Sequence, residues 1–285
     1  MTNKLLGQHF LDDPSGKIAS GMIVALAPGR GETIVEIGPG HGELTRPLAM
    51  ACGTHGARLI AIEKDPALAA AVAKKFSGEP EPAEIISGDA LEILKSEEII
   101  SKSAGMGVKL IGNIPYYLTG YLLRIVGELP LRARPARCVF MVQKEVAERI
   151  IAEPPKMNRL AASVQFWAEP KILSAVSKDH FKPKPEVDSA IIVLEARGSL
   201  KSGVEAAHNL EPARYYEAVR TLFAQPRKTV LNNVAARAAQ VAGGKGGTGT
   251  KQTDADKLLA LHIDPRARPQ NLTVGQIAAV AEAFF

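Results

Sequence analysis

Apolar residues recur along this chain with two alternating rhythms. Short blocks rich in Ile, Val and Leu occupy 34–37, 58–62, 84–86, 108–112 and 137–142. They carry too few polar positions for half-solvated strands and predict strands buried on both faces. Between them, apolar positions return at helical spacing over Pro14–Ala27, Leu44–Ala51, Ala67–Phe76, Tyr117–Val126 and Lys144–Ala152. Strands alternating with helices predict a mostly parallel sheet with crossover helices. Two further strands are expected at about 163–168 and 189–195, and the Pro-rich breaks 79–82 and 153–155 read as turns. Beyond Arg197–Leu210 the pattern is helical only, at about 212–224, 228–241, 254–261 and 273–284, with a flexible glycine-rich loop at 243–250. The expected organisation is an α/β domain over 1–198 and a small all-helical domain over 205–285, without internal repeats.

Open α/β sheets hold their ligands at the carboxyl ends of the strands, and the polar residues of this chain gather there. After the first strand comes Gly38-Pro39-Gly40-His41-Gly42-Glu43. Its glycines allow a sharp turn and close ligand approach, and the following helix supplies free N–H groups. Glu63 closes the second strand, 21 residues after Gly42, where a carboxylate suits two ribose hydroxyls. Without a ligand, a strand-end Glu is a solvated surface charge. Asp89 closes the third strand, where it suits an adenine amino group; it is equally an N-cap for the next segment.

The fourth strand ends in Gly112-Asn113-Ile114-Pro115-Tyr116-Tyr117. Pro115 fixes its own φ and biases Ile114 toward extended geometry, so the turn is stiff. It aims the Asn113 amide and the Ile114 carbonyl at one point, with the Tyr116 ring beside it as a platform. An exocyclic amine on a flipped-out base fits that arrangement. The plainer reading is an ordinary strand-to-helix turn with a buried Tyr.

Composition narrows the class. The chain has 285 residues, 46% of them hydrophobic, which is ordinary for a globular protein. No apolar run approaches the roughly 18 residues that span a bilayer, and the first residues lack the apolar stretch of a signal peptide. Cys52 and Cys138 make neither a disulfide framework nor a metal cluster. A cytoplasmic protein without membrane partners is expected. Residues 196–285 hold 12 basic and 7 acidic side chains and so carry the whole formal +5, which points to an anionic partner.

Taken together, these residues resemble the adenine-N6 dimethyltransferases of ribosomal RNA, and best the bacterial small-subunit enzymes of the kasugamycin-resistance family. The matching segments run in order along almost the full chain: Gly7-Gln8-His9-Phe10-Leu11, Glu36–Gly40, Glu63, Gly88-Asp89-Ala90, Gly112–Tyr116, Gln143–Val146, Phe181–Ser189 and Phe223–Thr229. The resemblance implies a Rossmann-like S-adenosylmethionine-dependent methyltransferase sheet. The cofactor would be held by His9, Leu11, Gly38, Gly40, Glu63, Asp89 and Asn113. The implied partner is 16S rRNA within the small ribosomal subunit or its precursor, met by a monomer in a hairpin near the RNA 3′ end. Three positions depart from the family pattern. His9 stands where Asn is usual, the basic stretch before Gly7 is reduced to Lys4, and Pro226 replaces a common basic residue.

The chemistry this implies needs no metal, because a sulfonium methyl donor leaves as a neutral sulfide. The difficulty is the nucleophile, since adenine N6 is conjugated into its ring. Hydrogen bonds from N6–H to the Asn113 oxygen and the Ile114 carbonyl favour a pyramidal nitrogen and strengthen as positive charge develops. Pro115 keeps the turn rigid, and Tyr116 and Phe181 are expected to sandwich the extruded base. Basic candidates for RNA contact are Arg132, Arg134, Arg137, Lys144, Arg149, Lys182, Lys184, Arg220, Arg227, Lys228 and Arg237. Competing readings are the large-subunit adenine methylase of the macrolide-resistance type and a non-catalytic RNA-binding assembly factor on the same fold. A nicotinamide dehydrogenase would need a third glycine where Glu43 stands.

Overall fold

Among the described residues, seven strands form one sheet in the order β4-β3-β2-β5-β6-β9-β7. They are β2 (Thr33–Ile37), β3 (Arg58–Glu63), β4 (Ala83–Ser87), β5 (Val108–Asn113), β6 (Arg137–Gln143), β7 (Ala168–Val176) and β9 (Ser189–Ala196). A two-residue β1 (Phe10–Leu11) pairs antiparallel with β8 (Phe181–Lys182) in a separate ribbon. The structure is a computed structural model that describes residues 9–78, 83–96, 99, 107–197, 210–241 and 251–285. Lys4, Gly7 and Gln8, the Pro-rich turn at 79–82, the start of the expected helical domain at 205 and the loop at 243–250 lie outside them.

Strands β2 to β6 pair in parallel, and β9 runs antiparallel to β6 with Met141 opposite Ile191. Every residue of β2 is buried, as the continuous apolar pattern requires. Helices α1 (Lys17–Leu26), α2 (Thr45–His55), α3 (Pro66–Phe76), α4 (Ala90–Lys95), α5 (Thr119–Glu128) and α6 (Lys144–Ile150) follow in turn. Gly112 is where β5 comes closest to its neighbour: a Cβ there would lie 2.5 Å from the Ile37 carbonyl oxygen. Only glycine lets the ends of β2 and β5 meet.

The chain divides into two compact units, Met1–Glu148 with Glu169–Ala196, and Arg149–Ala168 with Arg197–Phe285. The second unit thus takes in a segment that precedes residue 198. That segment also contains a correction. Residues 163–168 were expected as a strand, but α7 spans Arg159–Gln165 and the strand begins only at Ala168. The Asn158 side chain caps this helix by accepting from Leu160 N and Ala161 N, both at 3.0 Å. Four of its seven residues are buried, and a short apolar helix of that kind has the same letters as a buried strand. The true strand, β7, lies at the sheet edge, the place in a sheet where a proline such as Pro170 is tolerated.

The second unit continues with α8 (Pro212–Ala224), α9 (Val230–Val241), α10 (Lys251–Ala260) and α11 (Val274–Phe284). Tyr215 is fully buried, its ring stacked on Phe166 at 3.9 Å. A capping box between Thr273 and Gln276 starts α11.

Candidate active site

The ends of β2, β3 and β5, the residues after β4 and the β1 segment line one cavity in the sheet unit. Gly38 opens the turn between β2 and α2 with φ of 71° and has no atom within 4 Å of where a Cβ would stand. The missing side chain leaves open space against the cavity wall, a cradle for a ligand. Glu63 closes β3 and is 2% exposed. One of its carboxylate oxygens accepts from Gly40 N at 3.1 Å and the other from Asp65 N at 2.9 Å. Each oxygen keeps a second lone pair, so the carboxylate is fixed in place and still able to accept.

Asp89 caps α4 by accepting from Leu91 N at 2.9 Å, and its other oxygen pairs with Lys64 Nζ at 2.9 Å. Partial burial opposes its charge, but Lys64 and the Leu91 N–H outweigh that and hold the carboxyl below the usual aspartate range. Glu36 is the opposite case. It is 1% exposed in the middle of β2, lines the cavity, and its Oε2 has no hydrogen-bond partner among the described residues. Burial, reinforced by the charges of Glu43 and Glu63, pushes its pKa up to about 8.

Asn113 ends β5 with its amide already oriented. Its Nδ2 donates to the His9 carbonyl at 2.8 Å, which leaves the side-chain oxygen, among the described residues, as the group able to accept from a donor. Ile114 N donates to Met141 O at 3.0 Å, fixing the turn to β6, and Leu118 N closes it onto Pro115 O at 2.9 Å. The Tyr116 hydroxyl lies 3.1 Å from Ser189 Oγ, and its ring centroid is 5.6 Å from that of His9. The His9 Nδ1 lies 2.7 Å from the Pro183 carbonyl oxygen.

The cavity brings together His9, Leu11, Gly38, Gly40, Glu63, Asp89, Asn113, Ile114, Pro115 and Tyr116. Phe181 is the exception and requires a correction. It is 2% exposed and packs in the core with Leu11, Met22 and Ile191, so it offers no open face to a base. Alternation along β8 explains this: Phe181 turns inward and Lys182 outward. The Lys-Pro-rich stretch that suggested an exposed ring exposes its lysines instead.

Several polar and aromatic cavity residues were given no role in the sequence, Glu36, Lys64 and Tyr117 among them. Glu36 left a signal, a lone acid within the apolar run Ile34–Ile37, and Tyr117 stood at the end of the Gly112–Tyr117 motif, whereas Lys64 left none. Several basic residues expected to meet RNA are engaged within the protein. Arg134 donates to the carbonyls of Gly127 and Leu129, Arg137 pairs with Glu195, Lys182 with Asp12, and Arg237 with Glu217. Among the described residues, no three His, Cys, Asp or Glu side chains gather as a metal site, and no helix is long and apolar enough to cross a membrane.

A mostly parallel sheet with this strand order, followed by a helical region, is the fold of the Rossmann-like S-adenosylmethionine-dependent methyltransferases. A dimethyladenosine transferase from Plasmodium falciparum shares it with a TM-score of 0.72 at 23% identity, covering 97% of this chain and 100% of that one. The 23S rRNA methyltransferase ErmE shares it with a TM-score of 0.66 at 22% identity, covering 96% and 99%. Residues 1–245 match the family model of ribosomal RNA adenine dimethylase. The ribosomal RNA small subunit methyltransferase A of Moorella thermoacetica is 34% identical over 99% of this chain and 92% of its own length. The chain belongs to the ribosomal RNA adenine dimethylase family.

Proposed function

We propose that this protein dimethylates the N6 amines of two adjacent adenines in a hairpin near the 3′ end of 16S rRNA during small-subunit biogenesis. The observation that carries this reading is the Asn113 amide, whose donor is committed to the His9 carbonyl and whose oxygen is left for an amine beside the Tyr116 ring. The cradle at Gly38 and the fixed Glu63 carboxylate fit S-adenosylmethionine, which supplies an activated methyl on a sulfonium. Glu63 would accept from the ribose hydroxyls, Asp89 from the adenine amine, and the His9–Leu11 segment, Gly38, Gly40 and Asn113 would border the rest.

For the target base, Asn113 Oδ1 and the Ile114 carbonyl accept the two N6–H groups. Both acceptors are preorganised, so they stabilise the charge that develops on nitrogen without rearranging. Tyr116 supplies one stacking face, and Pro115 keeps platform and acceptors in register. Each transfer releases the donor as a neutral sulfide and leaves a methylated ammonium that loses one proton to water. After one transfer N6 retains a hydrogen and can be held again; after two it has none, and the product is released. The transfer requires no metal. A monomer acting in the cytoplasm, with the net positive charge of residues 196–285 turned to RNA phosphates, completes the reading.

Purified protein should methylate small-subunit particles at adjacent adenines mapped by primer extension. Modification of large-subunit RNA alone would transfer the assignment to the macrolide-resistance type, and binding without methylation would leave an assembly factor.

A further inference from the structure

Helix α5 follows directly on the Asn113–Tyr116 turn and has two unlike faces. Thr119, Leu122, Leu123, Ile125 and Val126 are buried. On the other face Tyr117, just before the helix, is 61% exposed, and Tyr121 is 48% exposed. The bonds from Leu118 N to Pro115 O and from Tyr121 N to Leu118 O keep this stretch in helical turns. Positions 117, 120 and 121 stand at i, i+3 and i+4 and so share a face. Gly120 completes it. Among the described residues, no atom beyond its chain neighbours and its own helix comes within 4 Å of where a Cβ would stand. Glycine weakens a helix, and packing gives no reason for one here. Tyr117 also lines the cavity beside Tyr116, whereas Gly120 and Tyr121 lie outside it. The face therefore starts at the mouth of the cavity and leads away from it. Lys95 stands next to it, with Nζ 3.4 Å from the Tyr121 hydroxyl and 5.6 Å from the ring centroid. Glu92 matches that charge at 2.8 Å. What the face offers is flat aromatic surface rather than net charge, which suits a base better than a phosphate.

We infer that the face formed by Tyr117, Gly120 and Tyr121 seats the unpaired RNA base next to the target adenine, stacked on tyrosine over the open space at Gly120. The inference rests on the proposed reading of Asn113 and Tyr116 as the site of an extruded adenine. Extrusion leaves the neighbouring base without a stacking partner on one side. That neighbour is tethered one nucleotide from the cavity mouth, where the exposed rings begin. In the proposed substrate the two adenines are adjacent, so one of them must rest outside the cavity while the other reacts. Aromatic side chains that stack splayed bases are the usual means of holding single-stranded RNA.

The test compares Tyr121→Ala, Tyr121→Phe and Gly120→Gln with the parent in the full chain, measuring affinity for unmethylated small-subunit particles at several salt concentrations. Tyr121→Ala removes a ring and Gly120→Gln fills the open space. Each should weaken binding about tenfold, and Tyr121→Phe should stay within about twofold. Tyr121→Ala should keep the parent's salt slope, because a stacked base releases no counterions. Gly120→Gln should melt at or above the parent temperature, since it replaces a helix-weakening residue at an open position. It is therefore the decisive arm if Tyr121→Ala loosens the fold. The photoreactive residue p-benzoylphenylalanine at position 121 should crosslink, on irradiation, to a nucleotide adjacent to a methylated adenine, as mapped by primer extension. Parent-like affinity in Gly120→Gln, a shallower salt slope in Tyr121→Ala, or a crosslink only elsewhere in the particle would each overturn the inference and leave the reading of the site intact. A parent protein that methylates no adenine of the particles would overturn that reading, and the inference with it.

Discussion

Polar side chains that leave water do different work in the two units. In the sheet unit, Glu63 and Asn113 each spend part of their hydrogen-bonding capacity on backbone and keep the rest beside the cavity. In the helical unit, Tyr215 and Asn233 spend theirs inward. The Tyr215 hydroxyl donates to Ala162 O at 3.0 Å, and Asn233 Nδ2 lies within 3.1 to 3.4 Å of the carbonyls of Gln225, Lys228 and Thr229. A half-used buried polar group is expensive to keep unless a ligand completes it. The contrast therefore separates groups held for chemistry from groups held for stability, and substitution should separate them too.

The largest effect is expected at Asn113. Asn113→Ala removes the acceptor for N6–H and should lower single-turnover methylation by about two to three orders of magnitude, the scale of one preorganised donor or acceptor. Melting should change far less, since the side chain contributes one tether to His9 and little core. Near-parent turnover would break the distinction at its clearest point. Glu63→Ala should come next, weakening S-adenosylmethionine binding by roughly 1–3 kcal/mol through lost charge-assisted hydrogen bonds. Calorimetry on the folded variant checks this, and unchanged affinity would remove Glu63 from the cofactor site.

What could be read from the sequence follows the same division. The alternation of apolar blocks and helical spacing was enough for the parallel sheet, because βαβ order and burial are local signals. Strand-end polar residues were legible because ligand placement in such sheets is a property of topology. Phe181 and residues 163–168 were not, for one reason: both are apolar stretches whose environment is decided by distant partners. The inward face of β8 depends on its pairing with β1, where Phe181 meets Leu11, 170 residues away, and sequence spacing holds no trace of it. Ser189, likewise, looks like any serine until Tyr116 is seen beside it. Glu36 stood in the sequence only as part of the matching segment Glu36–Gly40, with no role at the cavity.

Glu36 sharpens the comparison through pH. Its carboxyl is held neutral in the fold up to about 8, against an ordinary value of 4.5 once the chain unfolds. Unfolding between those values releases a proton. The stabilisation is therefore complete below about pH 4.5 and is lost as pH rises toward 8. Glu36→Gln keeps the shape without the ionisation and should remove this slope, at most about 1.4 kcal/mol per pH unit for one proton. Melting of the cofactor-free protein from pH 5 to 8 measures it. Parallel curves for parent and variant would show that Glu36 is ionised in the fold.

The smallest effect, and the control on the whole distinction, is expected at Tyr215. Tyr215→Phe deletes one hydroxyl and leaves the ring stacked on Phe166, 3.9 Å away with the planes 11° apart. Apolar burial and ring stacking are retained, so the loss is the single bond to Ala162 O. Removing it should cost about 1 kcal/mol of stability, toward the upper range if the carbonyl is left without a partner. Cofactor affinity and single-turnover methylation should stay at parent values at temperatures where the variant is folded. The matching change at Tyr116 deletes a half-buried hydrogen bond, to Ser189 Oγ, from a ring beside the cavity. Tyr116→Phe keeps the stacking face and should retain most activity, with its modest loss appearing in turnover rather than in melting. If Tyr215→Phe instead slowed methylation while leaving stability untouched, buried polar groups of the helical unit would have to be counted with the chemistry, and the division between the units would fail.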